Sequence, residues 1–261
     1  MFIFQSIFLG VIQGLTEFLP VSSSAHLILV PKLFGFPNQT LFFDTALHTG
    51  TAFAVILYFI KDWIRIVQDR KYLLKILVGI LPAGIVGFLF NDYFEKNVRS
   101  LSIIILTLII GTIVMAFSEK VLEKEKIVKT DISLKDSFFI GLMQVLALFP
   151  GMSRSGMTIS GGFLRKIKKE YAVRFSFYLS APIIFAAALF NFLKSFKISD
   201  NFGFLDSTFV FGFIASFLVG LLAIKFMLKY IGNKGFKLFI IYRLLLALLL
   251  IILCINSYPN I

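Results

Sequence analysis

The chain has 261 residues, 58% of them hydrophobic, with 33 Phe and a formal charge of +12. So large an apolar excess excludes a soluble domain and points to an all-α polytopic membrane protein whose solvent is lipid. It also turns the positive charge away from nucleic acid, because membrane proteins gather Lys and Arg in connections that face anionic lipid.

The opening MFIFQS has no basic region and no small-residue cleavage site follows it, so no removable signal peptide is expected. Segment 3–19 is apolar but runs into LPVSSS, where Pro20 removes a backbone donor and serines follow. It is expected to enter the membrane, break and return. Spanning helices are expected at 41–60, 73–90 and 101–117, each near the roughly 17–25 residues a crossing needs. After a charged connection, segment 135–149 runs into FPGMSRSG and is expected to break as the first did. Three further spans are expected at 172–193, 208–224 and 238–255. Cys254 is the only cysteine, which excludes an internal disulfide and a thiol-based metal site.

Lys and Arg are unevenly shared among the connections. Five fall in each of 61–75, 118–136, 164–174 and 225–243, against two in 91–100 and two in 194–207. Six crossings and two re-entrant elements put the four rich connections on one side, the cytoplasmic one by the positive-inside rule, and both termini on the other. Outside these connections only Glu17, Lys32, Asp44 and Arg154 remain of the charged residues, and both histidines, His26 and His48, lie outside them too. Ionisable groups in the apolar part of a membrane chain are usually paired and functional.

Shifting the chain by 131 residues aligns SIFLGVIQGLTEFLPVSSS (6–24) with SFFIGLMQVLALFPGMSRS (137–155) without a gap, and 8 of 19 positions match, Gln13 with Gln144 and Ser22 with Ser153 among them. The chain therefore reads as one integral domain, 1–261, made of repeat one (1–118), a cytoplasmic connection (119–134) and repeat two (135–261). Each repeat holds one re-entrant broken-helix element and three transmembrane helices. Three is odd, so the repeats have inverted topology, an arrangement in which broken helices meet near the midplane to form a site. The aligned positions differ where chemistry is carried: Glu17 faces Leu148, Ser23 faces Arg154 and His26 faces Met157.

Gln13 and Glu17, spaced i, i+4, project from one helix face. Ser22 can cap the helix that follows Pro20, with Ser23 and His26 in its first turns; Ser153 can cap the second, with Arg154, Ser155 and Thr158 following. Two helix N-termini and a guanidinium suit a phosphate or another polyanion. With phosphate there, Glu17 can hold a hard divalent cation or act as a base, and His26 can move a proton or attack phosphorus, with Ser23 the alternative nucleophile. Asp44 and His48, also i, i+4, can orient one another or line the cavity, and a supporting role is expected over direct catalysis. A structural Glu17–Arg154 ion pair, packing serines and a hydrogen-bonded interior histidine are the plainer readings.

The stretches QGLTEFLPVSSSAH and LFPGMSRSGMTISGG, with DTALHTGT and IIYR near Tyr242, resemble the bacitracin-resistance family of undecaprenyl-diphosphate phosphatases over essentially the whole chain. The resemblance implies removal of the terminal phosphate of undecaprenyl diphosphate, recycling of the lipid carrier for cell-wall polymers, and a divalent cation, Mg or Ca, with Glu17 a metal ligand. It implies catalytic roles for Glu17, Ser23, His26 and Arg154, with Gln13, Ser22, Ser153, Ser155 and Thr158 at the diphosphate. Gln13 departs from the glutamate many members carry, which removes one carboxylate from any two-carboxylate metal site. The implied location is the bacterial cytoplasmic membrane with the site open to the outer face. The implied partners are the lipid diphosphate, the bilayer and, as a candidate, further copies of the chain in a homo-oligomer. A transporter or flippase is the rival reading, since inverted repeats with broken helices also build transporters. The acid-phosphatase-like lipid phosphatases are disfavoured, because no histidine follows Arg154.

Overall fold

A computed structural model describes residues 1–37, 39–196 and 207–255. In chain order its helices are α1 (Ile3–Phe18), α2 (Ser23–Phe34), α3 (Leu41–Tyr58), α4 (Ile60–Gln68), α5 (Arg70–Leu89) and α6 (Asn91–Asn97). They continue with α7 (Leu101–Glu123), α8 (Leu134–Leu146), α9 (Arg154–Leu164), α10 (Lys169–Phe196), α11 (Ser207–Lys234) and α12 (Lys237–Ile255). Six of them, α3, α5, α7, α10, α11 and α12, are long and apolar enough to cross a membrane, and they coincide with the six expected spans. The departures lie at polar ends: α7 runs to Glu123 and α11 to Lys234, because helical hydrogen bonding continues past the apolar stretch. Of the Lys/Arg-poor connections, 194–207 lies largely outside the described residues. One count needs correcting. Arg243, grouped above with the connection 225–243, sits inside α12 and is wholly buried.

The two interrupted segments are helical hairpins. Leu19 before Pro20 is extended (φ −68°, ψ 140°), as sterics demand of a residue preceding proline, and this ends α1. The chain then turns back, and rings near the start of α1 and the end of α2 meet: Phe8 lies 5.8 Å from Phe34 and 6.1 Å from Phe36. In the second hairpin Arg165, just past α9, returns to the first turn of α8, 2.6 Å from Asp136 and over the ring of Phe139. At 11 to 16 residues these helices are too short to cross a bilayer.

Each hairpin leans on a spanning helix of the other half. The Ser6 hydroxyl in α1 donates to the Thr208 carbonyl in α11, and the Ser137 hydroxyl in α8 donates to the Lys75 carbonyl in α5. One turn further on, a Cβ at Gly10 would stand 2.6 Å from the Gly212 carbonyl, and one at Gly141 would stand 2.5 Å from that of Gly79. Lipid supplies no hydrophobic drive between helices, so such backbone approach through small residues is what holds them.

The four Lys/Arg-rich connections gather on one face and are tied together there. Lys75 pairs with Asp131, Arg174 with Asp62, Lys169 with Glu119 and Lys166 with Glu125. A short backbone bridge joins Lys129 to Ile167, and the Phe236 amide donates to Glu119. The second hairpin is rooted in this face through Asp136. The first is rooted at the opposite one, beside the start of α11, so the two hairpins enter from opposite sides and their tips meet inside the bundle.

Candidate active site

Both tips are built alike. Ser22 and Ser153 each hold a positive φ, 74° and 70°, that a non-glycine residue rarely adopts. Each hydroxyl caps the helix that follows: Ser22 Oγ accepts from Ala25 N at 3.4 Å, and Ser153 Oγ from Gly156 N at 3.2 Å. The strain turns the next residue, Ser23 or Arg154, into the space between the tips, and strain of this kind clusters at functional sites. Direct bonds fasten the tips to each other. Gly151 N donates to Ser22 Oγ at 3.0 Å, and Ser155 Oγ donates to the Leu19 carbonyl at 3.2 Å.

Glu17 is the hub. Its side chain is only 6% exposed, and both carboxylate oxygens are taken up. Arg154 Nη2 donates to Oε1 at 2.7 Å, while Ser23 Oγ at 2.8 Å and Gln13 Nε2 at 3.0 Å donate to Oε2. The same Gln13 amide lies 2.8 Å from His48 Nδ1. His48 Nδ1 also stands 3.4 Å from Glu17 Oε2, so the imidazole borders the carboxylate. Arg154 also reaches the Ser176 carbonyl at 3.4 Å, and Thr158 bonds the Arg154 carbonyl at 2.8 Å and the Ser176 hydroxyl at 2.7 Å.

A cavity of about 610 Å³ opens over this hub. Glu17, Ser22, Ser23, Asp44, His48, Ser153 and Arg154 line its floor. Asn91, Glu95 and Arg99 of α6 and the turn after it line the far end, opposite the Lys/Arg-rich face, and α5 and α10 supply an apolar wall that includes Gly87, Phe88, Ile183 and Phe190. Of the residues singled out from sequence, seven thus face one space. Gln13, Ser155 and Thr158 stand one layer behind. His26 is not brought to the cavity: its Nδ1 meets the Ser22 carbonyl at 2.8 Å and its Nε2 meets the Tyr242 hydroxyl at 2.6 Å. His48, expected to orient Asp44 or line the cavity, borders Glu17 and Gln13 at its floor.

Ser176 contributes without any local signal in the sequence, whereas Tyr242 and Arg243 fall in the IIYR stretch, which gives no hint of what they touch. The Arg243 guanidinium bonds the carbonyls of Pro20 (3.4 Å), Gly151 (2.8 Å) and Leu108 (3.0 Å) and the Thr112 hydroxyl (2.8 Å).

The donor set suits a hard cation. Buried oxygens Gln13 Oε1 and Asp44 Oδ1 have no hydrogen-bond partner among the described residues, and Asp44 and Glu17 line the same cavity. No cluster of three or more His, Cys, Asp or Glu assembles among the described residues.

The floor therefore offers helix N-termini, hydroxyls and a guanidinium to an anion, under a wall suited to an apolar chain. Residues 6–249 match the family model for Bacitracin resistance protein BacA. Relatives named undecaprenyl-diphosphatase match nearly end to end. That of Thermodesulfovibrio yellowstonii is 43% identical over 96% of this chain and 97% of its own, and that of Desulforudis audaxviator 41% over 97% and 98%. The one from Caldicellulosiruptor bescii is 42% identical over 94% of each. With both hairpin tips and five of the six spans inside the matched region, and the sixth, α12, matched as far as residue 249, the chain belongs to the bacitracin resistance protein BacA family.

Proposed function

We propose that the protein is an undecaprenyl-diphosphatase: it hydrolyses undecaprenyl diphosphate to undecaprenyl phosphate and inorganic phosphate. The observation that carries the reading is the Ser23–Glu17–Arg154 chain, with contacts of 2.8 and 2.7 Å, at the point where two capped helix N-termini meet in one cavity. The diphosphate lies on the floor, where Arg154 and the free N–H groups of α2 and α9 take its oxygens. The prenyl chain runs along the α5–α10 wall. Glu17 would be the carboxylate to hold a divalent cation here, and such a cation would supply charge neutralisation as the anhydride opens.

Ser23 is the hydroxyl placed to attack. As its Oγ bonds to the terminal phosphorus, the bond from that phosphorus to the bridging oxygen breaks and undecaprenyl phosphate leaves; the Ser23 proton passes to Glu17 Oε2. Water then cleaves the phosphoserine, releasing inorganic phosphate and restoring Ser23. A loose phosphoryl transition state asks little of the base and much of the groups that hold the oxygens. His26 acts on this geometry from behind, holding the Ser22 carbonyl at the tip.

The two halves are inverted copies, which the paired contacts of Ser6 and Ser137, Gly10 and Gly141, and Ser22 and Ser153 support. The Lys/Arg-rich face is cytoplasmic and the cavity opens to the outer side of the cytoplasmic membrane, where the lipid carrier is released after polymer transfer. The decisive experiment is phosphate release from undecaprenyl diphosphate by the detergent-solubilised protein with Mg²⁺ or Ca²⁺. Steady turnover, abolished by EDTA and reduced by at least about 10²-fold in Ser23→Ala, is expected. No release from the wild type would favour the flippase reading, and full turnover in Ser23→Ala would assign the attack to water.

A further inference from the structure

Arg243 is the largest wholly buried side chain among the described residues, and the chemistry above does not use it. It lies mid-bundle in α12, a helix otherwise made almost entirely of Leu, Ile and other apolar residues. Among the described residues no carboxylate pairs with it; its partners there are three carbonyls and one hydroxyl. Their positions matter. Pro20 and Gly151 belong to the two breaks, where carbonyls at the ends of α1 and α8 lack an intrahelical donor. One planar group therefore spans both hairpins, with Nη1 on the first and Nη2 on the second.

The neighbouring helix leaves room for it. A Cβ at Gly111 of α7 would stand 2.6 Å from Arg243 Nη2 and 3.0 Å from the Met152 carbonyl, while Thr112 Oγ1, one residue on, accepts from Nε. The residue before it, Tyr242, holds His26 Nε2. Adjacent residues of α12 thus reach the first helix of the α2 tip and both breaks at once.

We propose that Arg243 is a positioning residue that sets the register of the two breaks against each other, so that Ser23 and Arg154 address the same phosphorus. The proposal rests on the phosphatase reading and adds to it the part that makes a site of two separate halves. Lysine keeps the charge but not the planar fork, and cannot hold carbonyls on both hairpins in fixed geometry. A misplacement of about 1 Å at the reacting atoms costs on the order of 10²-fold in rate.

The test compares wild type, Arg243→Lys and Gly111→Ala as folded, detergent-solubilised proteins at equal concentration by size-exclusion chromatography. Both variants are expected to lose on the order of 10²-fold in kcat with KM changed less than about threefold. Gly111→Ala removes neither a donor nor a charge, so the shared signature comes from the register. Wild-type kcat in either folded variant, whatever its melting temperature, overturns the proposal and leaves Arg243 a stabilising residue only. No turnover by the wild type would remove the reading on which the proposal rests.

Discussion

Arg154 performs two tasks with one planar group. It balances the Glu17 carboxylate at 2.7 Å and faces the cavity, anchored from behind at the Ser176 carbonyl. Breaking one partner out of a buried ion pair leaves the other charge uncompensated, which is more harmful than the pair was helpful. Arg154→Lys keeps the charge and loses the fork; we expect kcat to fall about 10–10²-fold, read as phosphate release at saturating substrate, with the folded yield kept. The pairing was legible in the sequence, because the 131-residue repeat set an arginine where the first half has Ser23 and a leucine where it has Glu17. The place of His26 was not. Its spacing one turn from the serines fixes the helix face but not the residue across from it, and that residue, Tyr242, arrives from a helix 216 positions away. The link of His48 to Gln13 was not legible either, because it crosses 35 residues and leaves no local pattern.

At the scale of the hairpin, Gly151 is the residue with least freedom to change. It has φ +102°, and a Cβ there would stand 2.8 Å from the Ile104 carbonyl and against the Thr107 hydroxyl, while its N–H binds Ser22 across the tips. Gly35 at the end of α2 offers a control, with φ +64° and nothing within 4 Å. We expect Gly35→Ala to cost about 1 kcal/mol and leave kcat unchanged. Gly151→Ala should cost more, roughly 1–3 kcal/mol, and lower kcat as well. Thermal unfolding in detergent with parallel turnover assays distinguishes the two. Proline and glycine announced both breaks in the sequence, and the capping serines followed from their position; the positive φ of Ser22 and Ser153 had no signal there, because serine does not favour that region.

Across the whole molecule, charge separates the two faces. The Lys/Arg-rich face is knit by ion pairs and the cavity opens at the other, so an impermeant thiol reagent should sort them. With Cys254 replaced by Ser, a cysteine at Asn91 should be labelled in intact cells and one at Ile127 only after lysis. Labelling of Ile127→Cys in intact cells would reverse the orientation. The rich face should also be acid-sensitive through Asp136. Burial opposes ionisation of this carboxyl, but hydrogen bonds from Ser133, Arg165 and Lys129 outweigh it and hold the pKa at about 2, below the ordinary 3.8. The stability it contributes is complete above pH about 4 and lost as pH falls through about 2. Asp136→Asn should flatten the melting temperature over that window. Hydropathy made all six crossings legible, since lipid imposes length and apolarity directly. Hydropathy could not show which spans touch which hairpin: α1 with α11 and α8 with α5 meet through glycines and one serine hydroxyl each.

Because the tips come from separate halves, the site is completed late in synthesis. Glu17 leaves the ribosome 137 residues before Arg154, a wait of roughly 7–30 s at ordinary elongation rates. Throughout that interval a carboxylate and three serines stand in the nascent first half without guanidinium or partner tip, so the first half alone is a poor tenant of the bilayer. The two halves produced as separate polypeptides should therefore accumulate only when made together.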